Sequence, residues 1–204
     1  ATRSAPDPAA VDEAAERLVR ARAPVFICGG GVVIAGASAA LAALAERLNA
    51  PVCTTVSGQG SLADTHPLNA GVVGTNGGVP ATRAVVAQAD LVLFIGCRAG
   101  STTTEHGQMP GRGVTILHID VDAMTIGTNY RTDVALVGDA RLALQALDAA
   151  VQRLGTPRPA DASDGRALAA RARAEKLAFL APLVASLDQP IRPERVLDAL
   201  NRLL

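Results

Sequence analysis

The chain has 204 residues, 49% of them hydrophobic but only 2% aromatic, and its 19 basic residues balance 19 acidic ones. Zero formal charge leaves no electrostatic footprint for nucleic acid or an anionic membrane, and Phe26, Phe94, Phe179 and Tyr130 are too few aromatics for a base-stacking platform. The apolar runs are short and broken by glycine, so the sequence shows neither a membrane span nor a signal peptide.

Residues Pro8 to Arg22 place Val11, Ala14, Ala15, Leu18 and Val19 on one face, the pattern of an amphipathic helix. Pro24-Val25-Phe26-Ile27-Cys28 carries no charge and predicts a buried parallel strand. It breaks into Gly29-Gly30-Gly31, and a helical pattern follows from Ala39 to Leu48. Glycines lack a Cβ, so their amides can approach an anion, and a helix N-terminus adds partial positive charge. The loop points to a nucleotide or phosphate site, the alternative being a plain strand-to-helix turn. It departs from the dinucleotide fingerprint, because the third residue after Gly31 is Ile34 and the next strand, Pro51-Val52-Cys53, ends in Thr54-Thr55 without a ribose-binding acid. The single lysine, Lys176, lies in a late Ala-rich helix and cannot complete a Walker loop. An ordinary NAD dehydrogenase and a P-loop NTPase are both disfavoured.

Two glycine-punctuated stretches come next, Ser57 to Ser61 and Gly71 to Gly78. A helix from about Pro80 to Ala89 leads into the apolar strand Asp90 to Gly96. Val114–Ile119 and Val134–Val137 are further strands, and Asp139 caps a helix from Ala140 to Leu154. Alternating short strands and helices predict an open α/β sheet, mostly parallel, with ligands beyond the carboxyl ends of its strands. The loops at those ends are 29–31, 54–60, 96–98 and 120–122, all carrying Gly, hydroxyl or charged residues. After Gly155, Thr156 to Gly165 reads as a Pro- and Asp-containing linker. Helical stretches at Arg166 to Leu180 and Pro193 to Leu204 follow, with no further strand. Ala1 in place of Met, and a chain that stops within a helix, suggest an excised piece of something longer.

Cys28, Cys53 and Cys97 are odd in number, far apart and without a Cys-x-x-Cys pair. They read as small buried hydrophobes of a reducing, cytoplasmic protein. His106 beside Glu105 reads as an exposed loop histidine, His66 before Pro67 as a turn residue and His118 as part of a strand. No histidine–carboxylate set has metal spacing.

The ordered set of segments resembles the central domain of thiamine diphosphate-dependent enzymes of the acetolactate synthase type. The matching pieces are Ala23-Pro24 with Gly29 to Val32, Ala50-Pro51-Val52 with Gly58 and Gly60, and His66-Pro67 with Gly71 and Gly74. Ala89 to Leu93 with Gly96 and Arg98, His118 to Asp122, and Gly138-Asp139-Ala140 complete the set, over residues 8 to 154. The resemblance implies a three-layer α/β/α domain with a six-stranded, mostly parallel, Rossmann-like sheet over residues 1–154. A linker with a helix would span 155–190. Ile191-Arg192-Pro193 resembles the opening of the family's diphosphate-binding domain, at 191–204.

In that family thiamine diphosphate and Mg2+ are held by the pyrimidine- and diphosphate-binding domains, which would be this chain's partners within a homo-oligomeric enzyme. Their activating glutamate and Gly-Asp-Gly motif lie outside this chain: here Gly138-Asp139 runs into Ala140. The resemblance therefore implies a noncatalytic middle domain of a 2-oxo acid decarboxylase or carboligase. In flavin-carrying members this domain holds the ADP half of FAD, and in others ADP or nothing. Roles in nucleotide binding would fall to Gly29, Gly30, Gly31, Thr55, Gln59, Gly74, Gly96, Arg98 and Asp120. Arg98 can pair with a diphosphate and Asp120 can accept from a ribose hydroxyl. The neutral run Ser101 to Thr104 stands where acetolactate synthases carry charged residues, and Asn76 where flavin-binding relatives often have histidine. A stand-alone NAD-consuming deacylase would need paired zinc cysteines or a catalytic histidine in a polar loop. A stand-alone nucleotide-binding or protein-interaction module is the remaining alternative.

Overall fold

The computed structural model describes residues 2–155 and 157–203; Ala1, Thr156 at the start of the expected linker, and Leu204 lie outside them. Six strands form one sheet: β1 (Pro24–Cys28), β2 (Val52–Thr54), β3 (Asn69–Val72), β4 (Leu91–Ile95), β5 (Thr115–Asp120) and β6 (Val134–Val137). Their order is β3-β2-β1-β4-β5-β6, and every pairing is parallel. That is the doubly wound order. The chain winds outward through β2 and β3, then returns to lay β4 on the other side of β1.

Helices cover both faces: α1 (Pro8–Arg20), α2 (Gly30–Ala35), α3 (Ser38–Leu48), α4 (Pro80–Ala87), α5 (Ala140–Leu154), α6 (Gly165–Ala185) and α7 (Pro193–Asn201). Alternate strand residues divide between two cores, as the two-residue pleat requires. Phe26, Leu93, Leu117 and Leu136 pack with Leu18, Leu41, Leu44, Leu144 and Leu147 of α1, α3 and α5. Val25, Ile27, Val92, Phe94 and Ile116 face the other way, toward Val85 and Val86 of α4 and Ala169 and Ala172 of α6. Each fully buried Leu or Ile contributes about 1.5–3 kcal/mol.

Local signals set the helix ends. Asp7 accepts from the amides of Ala9 and Ala10, and Asp139 from those of Arg141 and Leu142, so α1 and α5 start where the side-chain caps dictate. The Asp90 carboxylate accepts from the amides of Arg22 and Ala23, tying the entry of β1 to that of β4.

Two elements were not marked by the sequence pattern. A helix begins at Gly30 itself, eight residues before α3, and ends at Gly36 in the left-handed conformation. Strand β3 runs into the start of the second glycine-punctuated stretch, a short edge strand with Asn69 and Gly71 among its four residues. Helix α6 starts against the body of the sheet. Gly165 lies so close to the Asn49 carbonyl that a Cβ would overlap it, and Arg173 donates to the His66 carbonyl at 3.1 Å. Helix α7 packs against α6 and buries none of its residues.

All three cysteines are free and buried, as the sequence implied. Burial pushes the Cys53 and Cys97 thiols up to about 12 and raises Cys28 well above its ordinary value. The thiolate is the reactive form. A disulfide-exchange reagent at pH 8 is therefore expected to titrate no thiol in the native chain and all three in denaturant. Rapid labelling of the native chain would contradict this packing.

Candidate functional site

Because β1 and β4 are neighbours whose connections run in opposite directions, their carboxyl ends open a crevice, with Cys28 beside Ile95. A groove of about 820 Å³ fills it. Gly29, Gly30, Gly31, Thr55, Gly96, Arg98 and Asp120 all line this groove. Seven of the nine residues that the sequence points to thus converge from four strand ends. Gln59 and Gly74 do not. The Gln59 side chain turns back to donate to the Val56 carbonyl at 3.2 Å. Gly74, at φ 93°, lets its loop press on the Thr102 backbone, behind the wall that Thr102 and Thr103 form.

The glycines are there first for the chain's own packing. A Cβ on Gly29 would overlap the Gly96 carbonyl, and one on Gly31 would come within 2.7 Å of Gly96 Cα. Gly96 is itself left-handed, at φ 56°. The Gly29 amide donates to the Ile95 carbonyl at 2.8 Å and the Gly31 amide to the Gly96 carbonyl at 3.0 Å. Two of the three loop amides are thus spent on joining β1 to β4. Only the Gly30 amide has no backbone acceptor among the described residues.

Charge in the groove comes from side chains. Arg98 is exposed and, among the described residues, has no ion-pair partner. Asp120 ends β5, and one of its oxygens accepts from the Asp122 amide at 3.0 Å. The Thr55 hydroxyl accepts from the Gly58 amide at 3.1 Å, capping a 3-10 turn at Val56–Gly58. Ile34 and Val56 offer exposed apolar surface to the same groove.

Sequence reasoning gave no role to Asn129, Thr125 or Ser57, which also line the groove. Asn129 and Thr125 belong to an irregular polar loop without periodicity, so no local signal marks them. His106 is exposed, with Nδ1 at 2.8 Å from the Ser101 hydroxyl, while its neighbour Glu105 pairs with Arg83 at 2.7 Å. The two do not form an acid–base pair. A second cleft, of about 680 Å³, lies at the opposite end of β5 beside Arg112, Tyr130 and Asp133. There Asp133 is occupied by the Ile116 amide at 2.8 Å. Among the described residues no cluster of His, Cys, Asp and Glu could hold a metal, and no helix is long and apolar enough to cross a membrane.

The family model described as "Thiamine pyrophosphate enzyme, central domain" matches residues 11–147, which include all the sheet and the whole groove. The chain belongs to this family. It is 36% identical over 198 residues to a probable acetolactate synthase large subunit of Methanocaldococcus jannaschii, covering 97% of this chain but 32% of that protein. It is 42% identical over 184 residues to a probable 2-ketoarginine decarboxylase of Pseudomonas aeruginosa, covering 90% of this chain and 31% of the relative. Among solved structures, benzoylformate decarboxylase from Polynucleobacter necessarius superposes with a TM-score of 0.65 at 25% identity, over 80% of this chain and 30% of that one. The chain thus spans about a third of the length of these relatives.

As a thiamine pyrophosphate enzyme central domain, the chain owes its Gly-rich loop to the approach of β1 and β4. Gly31→Ala is expected to lower stability by about 1–3 kcal/mol, since its Cβ meets backbone that cannot yield. Gly30→Ala, whose Cβ meets the Ser57 carbonyl at 3.3 Å, should lose less than half as much in urea unfolding. Equal losses would show that the loop is not held by this contact.

Proposed function

We propose that this chain is the noncatalytic middle domain of a thiamine diphosphate-dependent 2-oxo acid decarboxylase or carboligase. Its groove holds ADP or the ADP half of FAD. The observation that carries the second part is the unpaired Arg98 guanidinium in a groove of nucleotide size, at the point where the strand order reverses. Arg98 and the Gly30 amide would hold the diphosphate. The free oxygen of Asp120 would accept from a ribose hydroxyl, and Ile34 and Val56 would flank the base. The neutral Ser101, Thr102 and Thr103 wall offers no cation or aromatic ring to a flavin, so ADP should compete nearly as well as FAD.

The parent's chemistry would be done elsewhere. Thiamine diphosphate, when bound with Mg2+ between the pyrimidine- and diphosphate-binding domains, supplies the carbanion-stabilising centre for 2-oxo acid cleavage or transfer. The present residues would set the spacing of those domains within a homo-oligomer. Residues 1–154 would be the domain proper and 155–190 a helical linker whose first turns grip it through Gly165, Ala169 and Ala172. Residues 191–204 would begin the diphosphate-binding domain. The outward Val196, Leu197 and Leu200 of α7 support this boundary, because an amphipathic helix with no buried residue needs a neighbour.

Two outcomes test the proposal. Titration calorimetry of the full-length parent should detect both ADP and FAD, and Arg98→Ala should weaken either by about 1.5–3 kcal/mol, the scale of hydrogen bonds to charged groups. Absence of binding by both at millimolar concentration would reduce the groove to scaffold. The 204-residue chain alone, given thiamine diphosphate and Mg2+, should turn over no 2-oxo acid. Turnover above a protein-free control, abolished by a substitution in this chain, would refute the noncatalytic assignment.

A further inference from the structure

The segment that presents Arg98 is held at three successive carbonyls by donors from three different parts of the fold. The Gly96 carbonyl accepts from the Gly31 amide at 3.0 Å, the Cys97 carbonyl from His118 Nε2 at 2.8 Å, and the Arg98 carbonyl from Asn129 Nδ2 at 2.8 Å. The Gly96 amide in turn donates to the Ile119 carbonyl at 2.8 Å. Left-handed residues, Gly96 at φ 56° and Ala99 at φ 45°, bracket the segment. Such a backbone has little freedom, which fixes the point from which the Arg98 side chain leaves the chain.

His118 is the buried member of this set. It is 2% exposed, packs at 5.8 Å from the Phe94 ring, and lies on the strand next to β4. Because its partner is a carbonyl, Nε2 must carry the proton.

We propose that His118 and Asn129 are positioning residues, which preorganise Arg98 by fixing the Cys97 and Arg98 carbonyls. The ligand side of this inference rests on the nucleotide reading of the groove; the loop side does not. Preorganisation matters because ordering a side chain or loop on binding subtracts from affinity. Without the imidazole, the Cys97 carbonyl loses its donor and the loop can shift to find another.

The imidazole also brings a pH signature. Burial holds it below its ordinary value, with the Cys97 hydrogen bond and the Asp120 carboxylate pulling the other way. The titratable groups facing it are Asp120 on its own strand and Cys97 on the clamped segment, with Tyr130 against the same Phe94 ring at 5.9 Å. The facing residues of β4 and β6, Phe94 and Ala135, do not titrate. A lowered folded value means that the unfolded chain binds the proton more tightly. The stability of the segment is therefore greatest above the ordinary value of 6.5 and declines as pH falls below it toward the folded value.

Hydrogen exchange of the full chain, corrected for intrinsic rates, and ADP calorimetry test this together. His118→Phe keeps a flat aromatic ring but removes the donor. It should cut protection at 96–99 and ADP affinity by about tenfold, the scale of one unsatisfied buried carbonyl. His118→Gln restores an amide donor and should recover most of both, with protection no longer falling as pH drops below 6.5. Asn129 is exposed, so Asn129→Ala folds, and it should lower both readouts by about threefold. Nitrogen NMR of the native chain should find His118 neutral and protonated on Nε2. The opposite tautomer, or unchanged protection and affinity in these variants, would overturn the proposal. If the native chain binds no ADP while His118→Phe still loosens 96–99, the nucleotide reading falls and the positioning role stands.

Discussion

The approach of Gly31 to Gly96 fixes how closely β1 and β4 end, and the groove follows from it. Two strand-end loops lie backbone against backbone, with no side chain between them. Since β1 and β4 are the strands at which the winding reverses, any wider spacing would pull the two halves of the sheet apart at their only junction. The amides of Gly29 and Gly31 close that junction by donating across it. Glycine here is a requirement of chain packing before it is a property of a binding loop.

This has a consequence for recognition. A dinucleotide loop ordinarily offers successive free amides to a pyrophosphate. In this loop two are committed, and α2, at six residues, is a short dipole source. Any attraction of an anion would fall to a side chain, and among the residues lining the groove Arg98 is the cation. In the proposed nucleotide site its value would depend on how firmly its backbone is held, which ties the hydrogen bonds at 96–98 to the guanidinium.

The layers were readable because β1, β4 and β6 are uncharged runs bounded by Gly, Pro or Asp, and each long helix has a clear cap or periodic face. The all-parallel sheet agrees with the expected fold, and Asp139 caps α5 where the sequence placed it. What escaped notice was short or irregular. Helix α2 hides behind three glycines, which as a class oppose helices, and β3 contains Asn69 and Gly71. Of the groove, the glycines, Thr55, Arg98 and Asp120 could be named, because strand-end loops are where ligands sit in such sheets. Asn129 could not, since its place is set by a tertiary contact with the Arg98 carbonyl rather than by any local pattern. Gln59 owed its expected role to the family resemblance, and its side chain satisfies its own turn instead.

A core with so few aromatics also explains where large apolar side chains remain outside. The first core packs helices closely through Ala14, Ala15, Ala45, Ala143 and Ala150, and α6 seats itself with Gly165, Ala169 and Ala172. Small contacts bring helices near the sheet and leave few gaps for bulky residues to fill. The exposed large ones then fall mainly into two groups. Ile34 and Val56 line the strand-end groove with Val121 in the cleft beside it, while Leu177, Phe179, Leu187, Ile191, Val196, Leu197, Leu200 and Leu203 all follow Ala172. Apolar surface gathered in this way is characteristic of faces that are covered in use. One group borders the proposed nucleotide, and the other runs along the segment proposed to lead into the next domain.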